Sequence, residues 1–227
     1  MPTIVDLAQP ISDRSDPHLI YNSRGGGAAL NGVEQVISPL TAVWRWDCIV
    51  PVNNAARARS IRVVKSKLMG RFNYLRTRIC DRYRITRRDV GAVYDGYSVP
   101  YGDGAFHSDG TGFALAQPTT SLLVAAARSA TSIVVLGSPL AGGMTAGVFF
   151  SISDYLYQVE EWEADGVAMN IVFSPPLRAA AEEGDTVDFD AKAMWSLEAD
   201  DTGHLDLRIG RFGAVQLKLV EALGRSQ

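Results

Sequence analysis

Apolar and polar residues alternate over 43–50, VWRWDCIV: Trp44, Trp46, Cys48 and Val50 fall on one face, Arg45 and Asp47 on the other. A period of two with one wet face predicts a half-buried strand, with the two tryptophans as core anchors. The period then changes. Ile61, Val64, Leu68 and Phe72 recur at spacings of three and four, an apolar stripe that predicts an amphipathic helix over 54–70. Asn54 can cap its start and Gly70 lies near its stop. On this reading Ile61, Leu68 and Phe72 are further core anchors.

Beyond residue 131 the alternation returns in short runs. TSIVVLG (131–137), GVFFSIS (147–153), YLYQVEE (155–161) and VAMNIVF (167–173) are separated by Gly, Pro or Asp turns and read as strands, with Phe149 and Tyr157 anchoring their core. SPPLRAAAEEGD reads as a crossover, because its two prolines interrupt any long helix. TVDFDAKAMWSLEA supplies one or two more strands. Strands this short and this closely spaced fit a small SH3-like or OB-like barrel. HLDLRIG and AVQLKLVEAL form a terminal hairpin, each strand with one wet face, and the Trp44–Trp46 strand is a candidate neighbour for it.

The expected fold is therefore mainly β: an antiparallel β-sandwich with one amphipathic helix, built from 1–124 with 194–227, plus a small β-barrel over 125–193. Residues 1–32 are turn-rich, and the run Gly25-Gly26-Gly27 predicts a flexible turn. It is not a phosphate cradle, since no Lys-Ser/Thr pair follows it. DGYSVPYGDGAFHSDGTG (95–112) reads as a structural loop rather than a calcium site, lacking the EF-hand pattern.

Composition adds limits. A chain of 227 residues, 47% hydrophobic and 21% charged, can bury a core without staples. A net charge of -3 gives no global attraction to nucleic acid or membrane. Cys48 reads as a small buried hydrophobe, with a Cys48–Cys80 disulfide as the alternative. The first residues lack a basic stretch followed by an apolar core, so no signal peptide is expected, and no membrane span.

Charge is uneven, however. About half of the 22 Lys and Arg lie in 57–88, where Asp81 is the only acid. The run includes Arg57, Arg59, Arg62, Lys65, Lys67, Arg71, Arg76 and Arg78 and continues through Arg82, Arg84, Arg87 and Arg88. Three readings compete: an interface for an acidic neighbour subunit, a solvated face, and phosphate contacts to nucleic acid. Arginine outnumbers lysine, which suits bidentate pairing at an interface.

Catalytic patterns are missing. His18, His107 and His204 are scattered, and there is no G-x-S-x-G, H-E-x-x-H, C-x-x-C or dinucleotide fingerprint. Glu160, Glu161 and Glu163 flank Trp162, loosely like a glycosidase cleft, but adjacent strand residues point to opposite faces. No enzyme activity, cofactor or metal is expected.

Two spans, SATSIVVLGSPLAGGMTAGVFFSISDYLYQVEEW and VAMNIVFSPPLRAAAEEGDTVDFD, resemble a barrel segment of tail proteins from long-tailed bacteriophages. The matching elements are Ile133, Gly147, Phe149, Tyr157, Val159, Pro176, Leu177, Arg178, Gly184 and Asp185. LMGRFNYLRTRICD, with Gly70-Arg71-Phe72-Asn73, and VPYGDGAFHSDGTGF are similar to the same proteins. The resemblance runs from residue 55 to 190 and is nearest to the distal tail protein, a tail-tip and baseplate component. It implies a virion structural protein, assembled in the host cytoplasm and located in the virion tail. Its partners would be itself, as a homo-oligomeric ring (a hexamer), the tail tube protein and the tail hub protein. The cationic segment would face a partner or, in the tail lumen, DNA. The alternatives are a receptor- or glycan-binding module using Tyr94, Tyr97 and Tyr101, and a cell-wall-cleaving enzyme.

Overall fold

The computed structural model describes residues 2–7, 16–21, 23–28, 34–37, 42–79, 81, 83–85, 98–99, 113–114, 118–137, 140, 144–203, 205–207 and 213–223. Cys80, Arg82, Arg87, Arg88, Tyr94, Tyr97, Tyr101, His107 and His204 lie outside them, as does most of the 95–112 loop. In chain order the strands begin with β1 (Ile4–Asp6), β2 (His18–Tyr21), β3 (Arg24–Ala28), β4 (Glu34–Ile37) and β5 (Ala42–Val52). Helix α1 (Ala55–Leu68) follows, then β6 (Tyr74–Arg78), β7 (Ser98–Val99), β8 (Phe113–Ala114), β9 (Thr119–Ser121) and β10 (Ser132–Leu136). Next come β11 (Phe149–Ile152), β12 (Tyr155–Asp165), β13 (Ala168–Ser174) and β14 (Thr186–Asp188). The last are β15 (Lys192–Leu197), β16 (Leu205–Leu207) and β17 (Gly213–Glu221). The chain is mainly β with one helix and two antiparallel-dominated sheets, consistent with the sandwich class that the alternation predicts.

Two compact units divide the chain. The first comprises Met1–Asp81, Asp154–Leu156 and Lys192–Gln227; the second, Arg82–Ser153 and Tyr157–Ala191.

The first unit is built on a seven-stranded sheet, ordered β1-β6-β15-β17-β5-β2, with β16 also paired to β17. Only the β1–β6 pair is parallel among the described ladders. Alternation decides which face is covered: Trp44, Trp46, Cys48 and Val50 of β5 are buried, while Arg45, Asp47 and Ile49 are exposed. The register sets Leu219 opposite Trp46, Leu217 opposite Cys48 and Val215 opposite Val50, so the terminal hairpin supplies the same buried face. Trp46 and Trp195 meet there at 5.6 Å between ring centroids, and Trp44 Nε1 donates to the Leu156 carbonyl at 2.8 Å. Helix α1 lies over this face with Ile61, Val64 and Leu68 buried. Gly203 marks the close approach, since a Cβ there would come 2.8 Å from Leu217 and 3.5 Å from the Lys65 stem.

Two expectations in this unit need correction. Phe72 is not a core anchor, being 57% exposed. The helix ends at Leu68, and Met69 (φ 49) and Gly70 (φ 67) turn the backbone left-handed, so Phe72 leaves the apolar stripe. The triple glycine is not a turn. It lies in β3, paired with β4 across an irregular register between Gly25 and Ala28.

The second unit carries a six-stranded path, β10-β13-β12-β11-β14-β9. Its core is aromatic: Phe150 lies 5.4 Å from Tyr157, 5.4 Å from Phe173 and 5.7 Å from Phe189. Phe149 is buried as well, because β11 is covered on both faces. Tyr157 keeps its hydroxyl satisfied by accepting from Arg178 N at 3.0 Å. The expected barrel is not closed by a continuous ladder. The two ends of the path meet at the isolated bridge Leu122↔Val135 and one backbone hydrogen bond, Leu123 N to Val134 O, at 2.9 Å.

Candidate interaction surface

Helix α1 begins where its sequence lets it. Asn54 is extended (φ -153), and its Oδ1 accepts from Arg57 N at 2.8 Å, satisfying one of the helix's free amides. With Ile61, Val64 and Leu68 turned inward, Arg59, Arg62, Val63 and Ser66 line the exposed face at the helical spacing of three and four, with Lys67 beside them. Arg57 and Lys65 flank it, half-buried. Among the described residues none of these five cations, nor Arg71, forms an ion pair.

This arrangement costs the helix stability. The first turn holds no acid, and Arg57 sits near the positive end of the helix dipole. Arg59 and Arg62, and Arg62 and Lys65, are like charges one turn apart, each pair costing about 0.2–0.5 kcal/mol at low salt. An external anionic surface would remove that penalty.

The turn after α1 adds apolar area. Val63 is 51% exposed and Met69 68%, next to Phe72, so three large apolar side chains stand among cations. The turn is held tightly. Arg71 N donates to Asp200 Oδ1 at 2.9 Å, and a Cβ at Gly70 would come 2.6 Å from that same oxygen. Buried Asn73 accepts from Thr3 N at 2.8 Å, donates to the Lys67 carbonyl at 2.6 Å, and bonds the Leu68 carbonyl through its own N–H at 3.1 Å. Asp200 did not stand out in the sequence, and Asn73 entered only within the Gly70-Arg71-Phe72-Asn73 resemblance, since a lone Asn or Asp after a helix is an ordinary turn residue.

The remaining two predicted interface cations lie on β6, away from this face. Arg76 grips Asp6 through two bonds, 2.6 and 3.1 Å, and reaches Asp154 at 3.5 Å. The hydrogen bonds from Arg76 hold the Asp6 carboxyl below its ordinary range, and the same bond raises Arg76. Arg76 is thus committed within its own unit. Arg78 ends β6 and faces Lys192 of β15 in register.

In the second unit, the outer half of β12 is exposed along six consecutive residues, Glu160–Asp165. Its register with β13 shifts between Val159 and Glu161, leaving Glu160 as an extra residue. The bulge reverses the alternation. Val159 faces the core opposite Phe173; after it Trp162 lies opposite buried Ile171, and Glu161, Glu163 and Asp165 take the other face. Glu161, Glu163 and Asp165 therefore share one exposed face of the strand. On the other side of β12, Gly147 N donates to Val159 O at 2.8 Å, and among the described residues no strand flanks 160–165 beyond it.

Among the described residues no three His, Cys, Asp or Glu side chains gather as metal ligands, and no helix is long and apolar enough to cross a membrane. No protein-family model matches the chain, and a comparison with curated proteins finds no match.

Proposed function

We propose that this chain is a non-enzymatic structural subunit of a bacteriophage tail tip, a ring-forming adaptor of the distal-tail type. In this reading it assembles with itself in the host cytoplasm as a hexameric ring in the virion tail, between the tail tube protein and the hub protein. The carrying observation is the outward face of α1: five cations and no acid on one helix, bordered by exposed Val63, Met69 and Phe72. Unrelieved like charge beside apolar area is what a subunit surface looks like before its acidic partner arrives. The support for the tail itself is the resemblance carried by residues 55–190.

The test is the mass of the purified protein by light scattering across a salt series, with negative-stain imaging of any large species. The adaptor reading expects closed rings at low salt that fall to monomers as salt screens the joints. It also expects the triple variant Arg59→Gln, Arg62→Gln, Lys67→Gln to remain monomeric at low salt. Monomers of the unaltered protein at every salt concentration would sink the ring.

A further inference from the structure

We infer that copies of this chain associate head to tail, the acidic face of the outer half of β12 in one copy seating on the outward face of α1 in the next. The inference rests on the self-assembly reading above and names the surface that α1 meets.

The two surfaces match in charge and in length. Glu161, Glu163 and Asp165 share one face of the strand, with Glu160 at the bulge beside them. At about 3.3 Å per residue they extend over about 13 Å. Arg59 to Lys67 spans about 12 Å of helix at 1.5 Å per residue. Three carboxylates in a row thus face Arg59, Arg62 and Lys67 over an equal distance, and the cations carry no ion pair among the described residues. The bulge at Glu160 supports a purpose for the acidic edge. Were Glu160 accommodated as a regular strand residue, alternation would direct Glu161 and Glu163 toward Ile171 and Met169 of the core.

The same charge selects the partner. Two acidic edges repel, so β12 does not pair with β12 of another copy as an open apolar edge would. A basic helix face is admitted instead. Because the two surfaces differ, the contact is heterologous, and each copy offers one of each. Repetition of such a contact gives a closed ring or an open filament.

The experiment mixes two full-length variants. One carries Arg59→Gln, Arg62→Gln and Lys67→Gln; the other carries Glu161→Gln, Glu163→Gln and Asp165→Asn. All six positions are exposed, and a melting curve of each variant checks that it folds. Each alone is expected to self-associate at least about tenfold more weakly than the unaltered protein. Mixed at low salt, they should form a one-to-one pair that grows no further, since each retains one intact surface.

If the unaltered protein forms rings and the β12 variant forms them equally well, this contact is wrong and the ring reading stands. If the mixed pair forms but the unaltered protein gives only open chains, the contact stands and the ring falls. Absence of any association in the unaltered protein overturns both.

Discussion

Asn73 serves three backbone groups from one buried position, tying the end of α1 to the start of β1. Its replacement by Ala leaves Thr3 N–H and the Lys67 carbonyl without their side-chain partner, and a partly buried unsatisfied group costs about 1–3 kcal/mol. Asn73→Ala should therefore destabilise the first unit by about 2 kcal/mol in urea unfolding, and Asn73→Asp, which sets a buried carboxylate oxygen against the Lys67 carbonyl, by at least as much. Asp6 makes a weaker claim. Its carboxyl is held low by the Arg76 hydrogen bonds, so its contribution is present above the ordinary Asp pKa of about 3.9 and is lost as pH falls through the lower folded value. The pair is largely exposed, which keeps the effect under about 1 kcal/mol. The stability difference between the unaltered protein and Asp6→Asn should be constant at pH values well above the ordinary Asp range and shrink as the pH falls through and below it. A difference that does not shrink on acidification would remove this pair as its cause.

Helix α1 and strand β12 each carry a feature that weakens the element. In α1 the N-cap Asn54 is followed three residues later by Arg57, the position where Glu would complete a capping box and favour the dipole. Arg57→Glu should raise the helix's stability by about 0.5–1 kcal/mol at low salt. The gain should show as a higher melting temperature and shrink in high salt, while ring assembly weakens. A lower melting temperature would mean that Arg57 already has an anionic partner within the subunit. In β12 the Glu160 bulge sets which face every later residue takes. Glu160→Ala keeps the bulge and should be nearly neutral. Deletion of Glu160 removes only the extra residue, leaves Glu161, Trp162 and Glu163 opposite Val172, Ile171 and Asn170, and so keeps each on the face it takes now. That variant should keep the cooperative unfolding of the second unit, as followed by near-ultraviolet circular dichroism; its loss would mean that the bulge does more than absorb one residue. The bulge was not readable beforehand. EEWEAD shows charge but no parity, and a bulge appears only when a strand is set against its partner.

At the scale of the molecule, what could be read was local period. The Trp44–Trp46 strand, the α1 stripe and its Asn54 cap, and the runs that became β10, β11, β12 and β13 all follow from spacing alone. What could not be read was long-range. Phe72 kept the helical spacing but fell past a left-handed turn, and Gly25–Gly27 joined a strand that only β4 stabilises. The cations were visible as a run, yet their division into an exposed helix face and an Arg76 engaged with Asp6 depends on contacts about 70 residues apart in sequence. The same long-range pairing fixes the consequence of losing the final hairpin. Strand β17 lies between β15 and β5, so removing it separates β5-β2 from β1-β6-β15 and uncovers Trp44, Trp46 and Trp195. A chain truncated after Gly203 should show tryptophan emission shifted to the red and no cooperative melting of the first unit. The six-stranded path of the second unit lies wholly within 119–188 and should retain its β circular dichroism signal. An emission maximum equal to that of the full chain would mean that the central position of β17 does not carry the first unit's stability, and that the α1 face does not depend on the hairpin beneath it.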